Sequence, residues 1–353
     1  MGNTIKQSEL RVLGIDLAKN SFQLHGVNQN GKVVIKKSLN RQKLKEFVVN
    51  LPACLVGMEA CGSSHYWARL FESYGHEVKL MAPQFVKPYV KTNKNDAADA
   101  EAICEAVQRP SMRFVSIKSV RQQDIQSMHR MRSTVVATRT KLINQARGLL
   151  LEYGIHIPTG PKVLMKKIPL ILEDGENGLS DFFRGLLSEL YDELKHLNNR
   201  VEGFDKKILQ ISQQDEDAKR LQTIPGIGPI ISTALVAAIG SVDSFKNGRE
   251  LAAWLGLVPR QHSTGGRNQL LGISKRGDTY LRSLLIHGAR TVLKGVAKKT
   301  DQRSEWLKSV MLRRHKNVAT VALANKMART VFALLKKKED FNMAFSTPIQ
   351  AAI

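Results

Sequence analysis

The chain has 353 residues, with 54 Lys and Arg against 31 Asp and Glu, a formal net charge of +23. Hydrophobic residues make up 42%, enough for real cores, so wholesale disorder is excluded. The three cysteines, Cys54, Cys61 and Cys104, include no C-x-x-C pair, which argues against a disulfide framework and a zinc ribbon and for a reducing, cytoplasmic setting. Such a basic globular chain points to a polyanionic partner. A membrane is disfavoured as that partner: the start at Met1 has no apolar leader segment, and Ile227–Gly240, broken by Gly228 and Pro229, is shorter than a spanning helix.

Residues 10–115 read as α/β. The run 11–16 is an apolar strand ending in Asp16. Strands at 21–27 and 32–38 join through the Gly/Asn-rich turn 28–31. A helix at 44–51 and a strand at 54–59 ending in Glu59 follow, then a helix at 64–74 and a strand at 77–81. The Ala-rich stretch 95–108 reads as a helix stopped by Arg109-Pro110.

Residues 119–152 read as one long basic helix, and 153–170, with three prolines and two glycines, as a hinge or loop. From Phe183 to Ile211 apolar residues step by four and three, the seam of a coiled coil. Antiparallel packing within one chain and association between chains both satisfy that period. Residues 221–340 read as mainly helical, with Gly-rich punctuation at 225–229, 256–266 and 272–277. The reading therefore expects an α/β domain at 8–115, long helices at 116–218, a mainly helical domain at 219–340 and a tail at 341–353. Charge follows this division: 116–170 holds 10 basic and 2 acidic residues, 171–217 holds 5 and 12, and 221–353 holds 21 and 7. An acidic segment thus separates two basic regions, and binding to a polyanion should depend steeply on salt.

Asp16 and Glu59 each end an apolar strand, and Asp96 and Asp99 lie three apart at a helix start, on one helical face. Converged, four carboxylates repel unless a cation is present. Their hard oxygens favour Mg²⁺ or Mn²⁺, the ions of phosphodiester chemistry. Taken singly, each acid also reads as a solvated strand or helix cap. In the second half, Ile224–Pro229 looks like the hairpin of a helix-hairpin-helix. There Gly226 and Gly228 would leave backbone N–H groups open to a phosphate, although a plain Gly/Pro turn fits equally. Arg260, Arg267, Lys275, Arg276 and Arg282 supply cations for backbone contact. An aromatic content of 6% makes base stacking a minor contributor.

The set Gly14-Ile15-Asp16, Met58-Glu59-Ala60 and Asp96-Ala97-Ala98-Asp99-Ala100 resembles the Asp-Glu-Asp-Asp set of RuvC-like nucleases with a ribonuclease H-like fold. The block 223–229, the block 251–266 and Gly272-Ile273-Ser274-Lys275-Arg276-Gly277-Asp278 extend the likeness. From about residue 10 to about residue 335 the chain resembles bacterial insertion-sequence transposases of the "IS one-ten" family, in its "eleven-eleven" branch.

That resemblance implies a site-specific recombinase with a metal-dependent DEDD domain and a serine-bearing domain that together build a composite site. It implies a covalent serine–DNA bond and a noncoding bridge RNA that pairs with donor and target DNA. It implies a homodimer or homotetramer holding both DNA partners. The family serine stands just before a glycine; here Thr264 precedes Gly265 and Ser263 comes one earlier, so Ser263 is the expected nucleophile and Thr264 the alternative. His262 is a candidate base. The competing readings are a metal-only junction nuclease and a catalytically silent nucleic-acid-binding regulator.

Overall fold

The computed structural model describes residues 9–91, 95–265 and 267–342. Met1, Gly266 and most of the 341–353 tail lie outside the described residues. The chain divides into two compact units: residues up to Val120 with Ile239–Ser244, and Arg121–Ala238 with the residues from Phe245 onward.

The first unit is built on one six-stranded sheet: β1 (Val12–Leu17), β2 (Ser21–Val27), β3 (Val33–Asn40), β4 (Leu55–Glu59), β5 (Glu77–Met81) and β6 (Phe114–Val115). Their order is β3-β2-β1-β4-β5-β6, with β1, β4 and β5 parallel and β2, β3 and β6 antiparallel to their neighbours. β2 and β5 have the bounds the sequence predicts, and only the two-residue β6 is unforeseen. Helices α1 (Arg41–Val49) and α2 (Ser64–Ser73) cover one face, and α3 (Asp96–Val107) packs on β1, β2 and β4. Strand alternation explains the two faces. Leu13, Ile15, Leu24, Val56 and Met58 point into a core with Trp67 and Phe71. Val12, Val27 and Met81 pack with Ile103, Ala106 and Val107. This is the RuvC-like α/β arrangement.

The second unit is mostly helical. α4 (Val120–Glu152) runs its full length through Gly148, as the long polar run predicts. The expected hinge at 153–170 is partly a helix: α5 (Pro161–Glu173) begins at Pro161 and continues through Pro169. Pro161 occupies the first helical position, where no N–H is needed. Leu164, Ile168 and Ile171 bury the helix face, which outweighs the hydrogen bond lost at Pro169.

α6 (Asp181–Gln214) carries the heptad seam, and that seam is covered within the chain. Leu197 and Val201 pack on Val135 of α4, while Phe183, Leu187 and Leu194 pack with Ile143, Ala146 and Leu150 and with α5. The order of these contacts makes α4 and α6 antiparallel. Arg132 Nε donates to Asp205 Oδ1 at 2.6 Å and Arg139 Nη1 to Asn198 Oδ1 at 3.0 Å along the same edge.

Then follow α7 (Glu216–Gln222), α8 (Pro229–Ile239), α9 (Gly248–Trp254), a two-stranded hairpin of β7 (Pro259–Thr264) and β8 (Arg267–Ile273), α10 (Thr279–Lys294), α11 (Gln302–Arg313) and α12 (Lys316–Lys337). By length and composition α12 could cross a membrane, and it is longer than the stretch at 227–240 singled out above. Its stripe of Ala319, Leu323, Met327, Val331 and Leu335 is buried, and it packs on α9 and α10 as a core helix.

Candidate active site

Two pairs of residues determine how the acidic residues meet. β1 and β4 are parallel neighbours with Gly14 opposite Gly57 and Ile15 opposite Met58. Asp16 and Glu59 come next on each strand, so they share the sheet face of the two glycines. A Cβ at Gly14 would stand 2.4 Å from the Ala100 carbonyl oxygen and 2.5 Å from the Cys104 nitrogen. A Cβ at Gly57 would stand 2.8 Å from Val107 Cβ. Only glycine lets α3 lie this close to the sheet.

The helix runs back along the strands, with Val107 over Gly57, Ala100 and Cys104 over Gly14, and its first turn at the strand ends that carry the acids. Asn95 fixes that turn: its side-chain oxygen accepts from the Ala98 N–H at 2.8 Å. One carboxylate oxygen each from Asp16, Asp96 and Asp99 then lie within 4.8 Å of one another. Asp16 and Asp99 are half-buried and Asp96 is exposed. Glu59, half-buried, stands in the adjacent strand outside that tight set.

Three carboxylates this close repel, and the α3 N-terminus offsets only part of that charge. A hard divalent cation fits the all-oxygen donor set. Burial pushes the nearby Cys104 thiol up to about 11, so it stays protonated and inert beside the site. Burial likewise holds His25, on the strand beside Gly14, below its ordinary pKa.

Ser263 is placed differently. The Gly-rich punctuation expected at 256–266 contains one strand of an antiparallel ribbon, with Ser263 opposite Asn268 and Thr264 opposite Arg267. Gly265 closes the turn at φ +55°, a left-handed conformation that favours glycine. All six β7 residues are exposed. Gln261 Nε2 donates to Ser263 Oγ at 2.8 Å. Alternation puts His262 on the opposite face, with Thr264 and Arg267, so His262 does not stand beside the Ser263 hydroxyl.

The remaining expected contacts divide in two. Lys275 and Arg276 are exposed in the loop after β8, and Arg260 and Arg267 are exposed on the ribbon. Arg282 is buried instead: its guanidinium donates to the Leu255 and Arg276 carbonyls at 3.3 and 3.1 Å and to Thr279 Oγ1 at 3.1 Å. Gly256 and Gly277 make room for this clamp, since a Cβ at either would lie about 2 Å from a backbone oxygen. Arg282 therefore ties the base of the ribbon to α9 and α10 and is not free for a phosphate.

Gly226, at φ +95°, is explained by packing, because its Cβ would meet the Gly288 carbonyl at 2.7 Å. Gly228 faces open space. Helices α7 and α8 flank this turn, which gives the helix-hairpin-helix outline read from the sequence. The residues that sequence reasoning missed are the positioning ones, Gly14, Gly57 and Asn95. The available signal was a glycine two residues before each strand acid and an Asn directly before Asp96.

Comparison with known proteins places the chain among transposases. Residues 13–155 match a DEDD transposase model of the IS110 type, and residues 218–304 match the "Transposase IS116/IS110/IS902 family" model. A probable family 20 transposase of Pseudomonas aeruginosa is 52% identical over 92% of this chain and 97% of its own length. The transposase for insertion sequence element IS1111A of Coxiella burnetii is 44% identical over 94% of this chain and 92% of its own. The transposase for insertion sequence element IS1328 of Yersinia enterocolitica is 41% identical over 94% and 98%. With the acids in the first matched region, the ribbon in the second, and relatives at least 41% identical over more than nine-tenths of the chain, the chain belongs to the IS116/IS110/IS902 family of transposases, enzymes that act on DNA.

Proposed function

We propose that this transposase is a site-specific recombinase that cuts and rejoins donor and target DNA through a covalent link to Ser263, with Thr264 the alternative attachment point. Asp16, Glu59, Asp96 and Asp99 hold Mg²⁺ (or Mn²⁺). The observation that carries the reading is the convergence of Asp16, Asp96 and Asp99 within 4.8 Å on a sheet whose glycines admit the helix. When bound, the ion would withdraw charge from a phosphoryl oxygen.

Ser263 Oγ attacks phosphorus and loses its proton. An Oγ–P bond forms as a backbone P–O bond breaks, and the departing oxygen takes up a proton as a free hydroxyl. A hydroxyl of the partner strand reverses these changes, rejoins DNA and frees the serine. Exposed Arg260, Arg267, Lys275 and Arg276 neutralise phosphate charge, and Gly228 offers an unobstructed backbone N–H. From the family resemblance we take a bridge RNA as the source of sequence specificity. From the need to hold two DNA partners we take a homodimer or homotetramer; the α6 seam, covered in-chain, is not its basis. The enzyme is assigned to the bacterial cytoplasm, at the nucleoid.

The test mixes full-length protein, Mg²⁺, donor DNA, target DNA and the element's flanking transcript, then resolves products on a denaturing gel. The expected result is a protein–DNA adduct that Ser263→Ala and Asp16→Asn both abolish. An adduct lost only in Thr264→Ala moves the nucleophile by one residue. DNA cut with no adduct in any variant establishes the metal-only nuclease, and binding without cleavage establishes the silent regulator.

A further inference from the structure

A charged patch not used so far is on the first unit. Residues 32–46 contain Lys32, Lys36, Lys37, Arg41, Lys43 and Lys45 and a single acid, Glu46. Glu46 Oε1 accepts from Gln42 at 2.8 Å. None of the six cations forms an ion pair with a described residue. Lys36 and Lys37 lie on β3, which pairs only with β2 and leaves its outer edge open among the described residues; Arg41, Lys43 and Lys45 lie on α1.

Three of these cations are pre-oriented by rings. Lys37 Nζ stands 4.6 Å from the Phe47 centroid, Arg41 Cζ 5.1 Å from Trp67 and Lys45 Nζ 5.9 Å from Tyr66. Edge lysines also discourage strand-to-strand aggregation, but that need ends with β3 and leaves the α1 cations unexplained.

The register connects the Lys36 side of this patch to the acids, while Lys37 and α1 stand over the opposite sheet face, across the open β3 edge. Asp16 lies opposite Gln23, and Gln23 opposite Ser38. Gln23 Nε2 donates to Ser38 Oγ at 3.1 Å, continuing the row across the sheet. Two strand spacings bring Ser38 to about 10 Å from Asp16. Lys36, two residues before Ser38, shares the face of Asp16. A nucleic-acid strand with a phosphate at the acidic cluster therefore reaches the basic edge within a few nucleotides, at about 3.4 Å per nucleotide along a helix axis.

The geometry points to the β3–α1 edge as a track for the phosphodiester backbone of the strand leading away from the acidic cluster. This rests on the proposed function, since the track begins at the site assigned there. The rings are already occupied by cations, so the contact is to backbone and independent of sequence. DNA and RNA share this chemistry.

Full-length protein and the triple variant Lys36→Gln/Arg41→Gln/Lys43→Gln are titrated against a short duplex DNA and against single-stranded DNA and RNA of equal length, at several salt concentrations. A control triple, Lys166→Gln/Lys167→Gln/Lys207→Gln, removes the same charge from exposed positions of the second unit. With melting temperature unchanged, the edge variant is expected to bind about tenfold or more weakly. The slope of log K against log salt should fall by about 2–3 on duplex DNA and about 2 on single strands. A loss confined to DNA or to RNA names the strand that occupies the track. An unchanged slope, or an equal loss in the control, overturns the inference. Binding is read without cleavage, so a slope loss in protein that never cuts DNA sinks the proposed function and leaves the track standing.

Discussion

The acidic cluster and the ribbon that carries Ser263, the two sites proposed above, are made in opposite ways. The cluster is over-determined: two glycine gaps, a capped helix and registered strands leave its carboxylates little freedom. The ribbon is an exposed hairpin with a clamp at its base, where Arg282 bonds two backbone carbonyls. A site that gathers repelling charges needs a rigid frame before its ion arrives. A site that meets a large substrate from solvent can be carried on an exposed hairpin and ordered by that substrate. Substitutions should therefore act through stability around the cluster and through chemistry alone on the ribbon.

The sharpest test of this contrast is Gly14→Ala. The new methyl meets backbone on α3, which cannot rotate away, so a loss of about 3 kcal/mol is expected together with cleavage activity. Chemical denaturation measures it; a stable Gly14→Ala protein with full activity would remove the frame argument.

A similar effect is expected from acid, in the second unit. His129 is 3% exposed, and burial brings its pKa down to about 4. Its Nδ1 accepts from Tyr280 Oη and its Nε2 donates to Thr233 Oγ1, each at 3.0 Å. Thr233 Oγ1 itself donates to the Pro229 carbonyl at 2.7 Å, which sets these directions. The unfolded chain, with an ordinary His near 6.5, binds the proton first as pH falls. His129 therefore contributes full stability above about pH 6.5 and loses it progressively toward pH 4, on the order of 3 kcal/mol. Comparing wild type with His129→Gln across that window should show the pH slope flattening in the variant.

Next in size is Arg282→Met, which leaves two carbonyls without their donor and should cost about 2 kcal/mol. Asn95→Ala, losing the α3 cap, should cost about 1 kcal/mol and weaken metal uptake with it. The smallest stability change belongs to Ser263→Ala: within about 0.5 kcal/mol of wild type, because the side chain is exposed on the ribbon. A large stability loss there would erase the distinction between the two regions.

Legibility in the sequence followed the same contrast. Strands ending in Asp16 and Glu59 were visible because buried apolar runs bounded by an acid are a strong local pattern, and α3 because its alanines and cap are local too. The fold of the first unit, its three clustered aspartates and the long helices α4 and α6 were all readable on those grounds. The ribbon was not. Gln261-His262-Ser263-Thr264 is polar on both faces, so it lacks the apolar alternation that marks a strand. Pro161 and Pro169 hid α5 because proline is read first as a breaker, although the first helical position tolerates it. Arg282 reads in the sequence as a cation for backbone contact; its burial against the Leu255 and Arg276 carbonyls is a tertiary fact.

The central claim is that the acidic cluster is a metal site made by the fold. Manganese titration of the full-length protein, followed by electron paramagnetic resonance of the free ion, tests it most directly. Saturable uptake is expected, which Mg²⁺ displaces and which Asp16→Asn and Asp99→Asn each abolish while the protein stays folded. Uptake unchanged in both variants would contradict it.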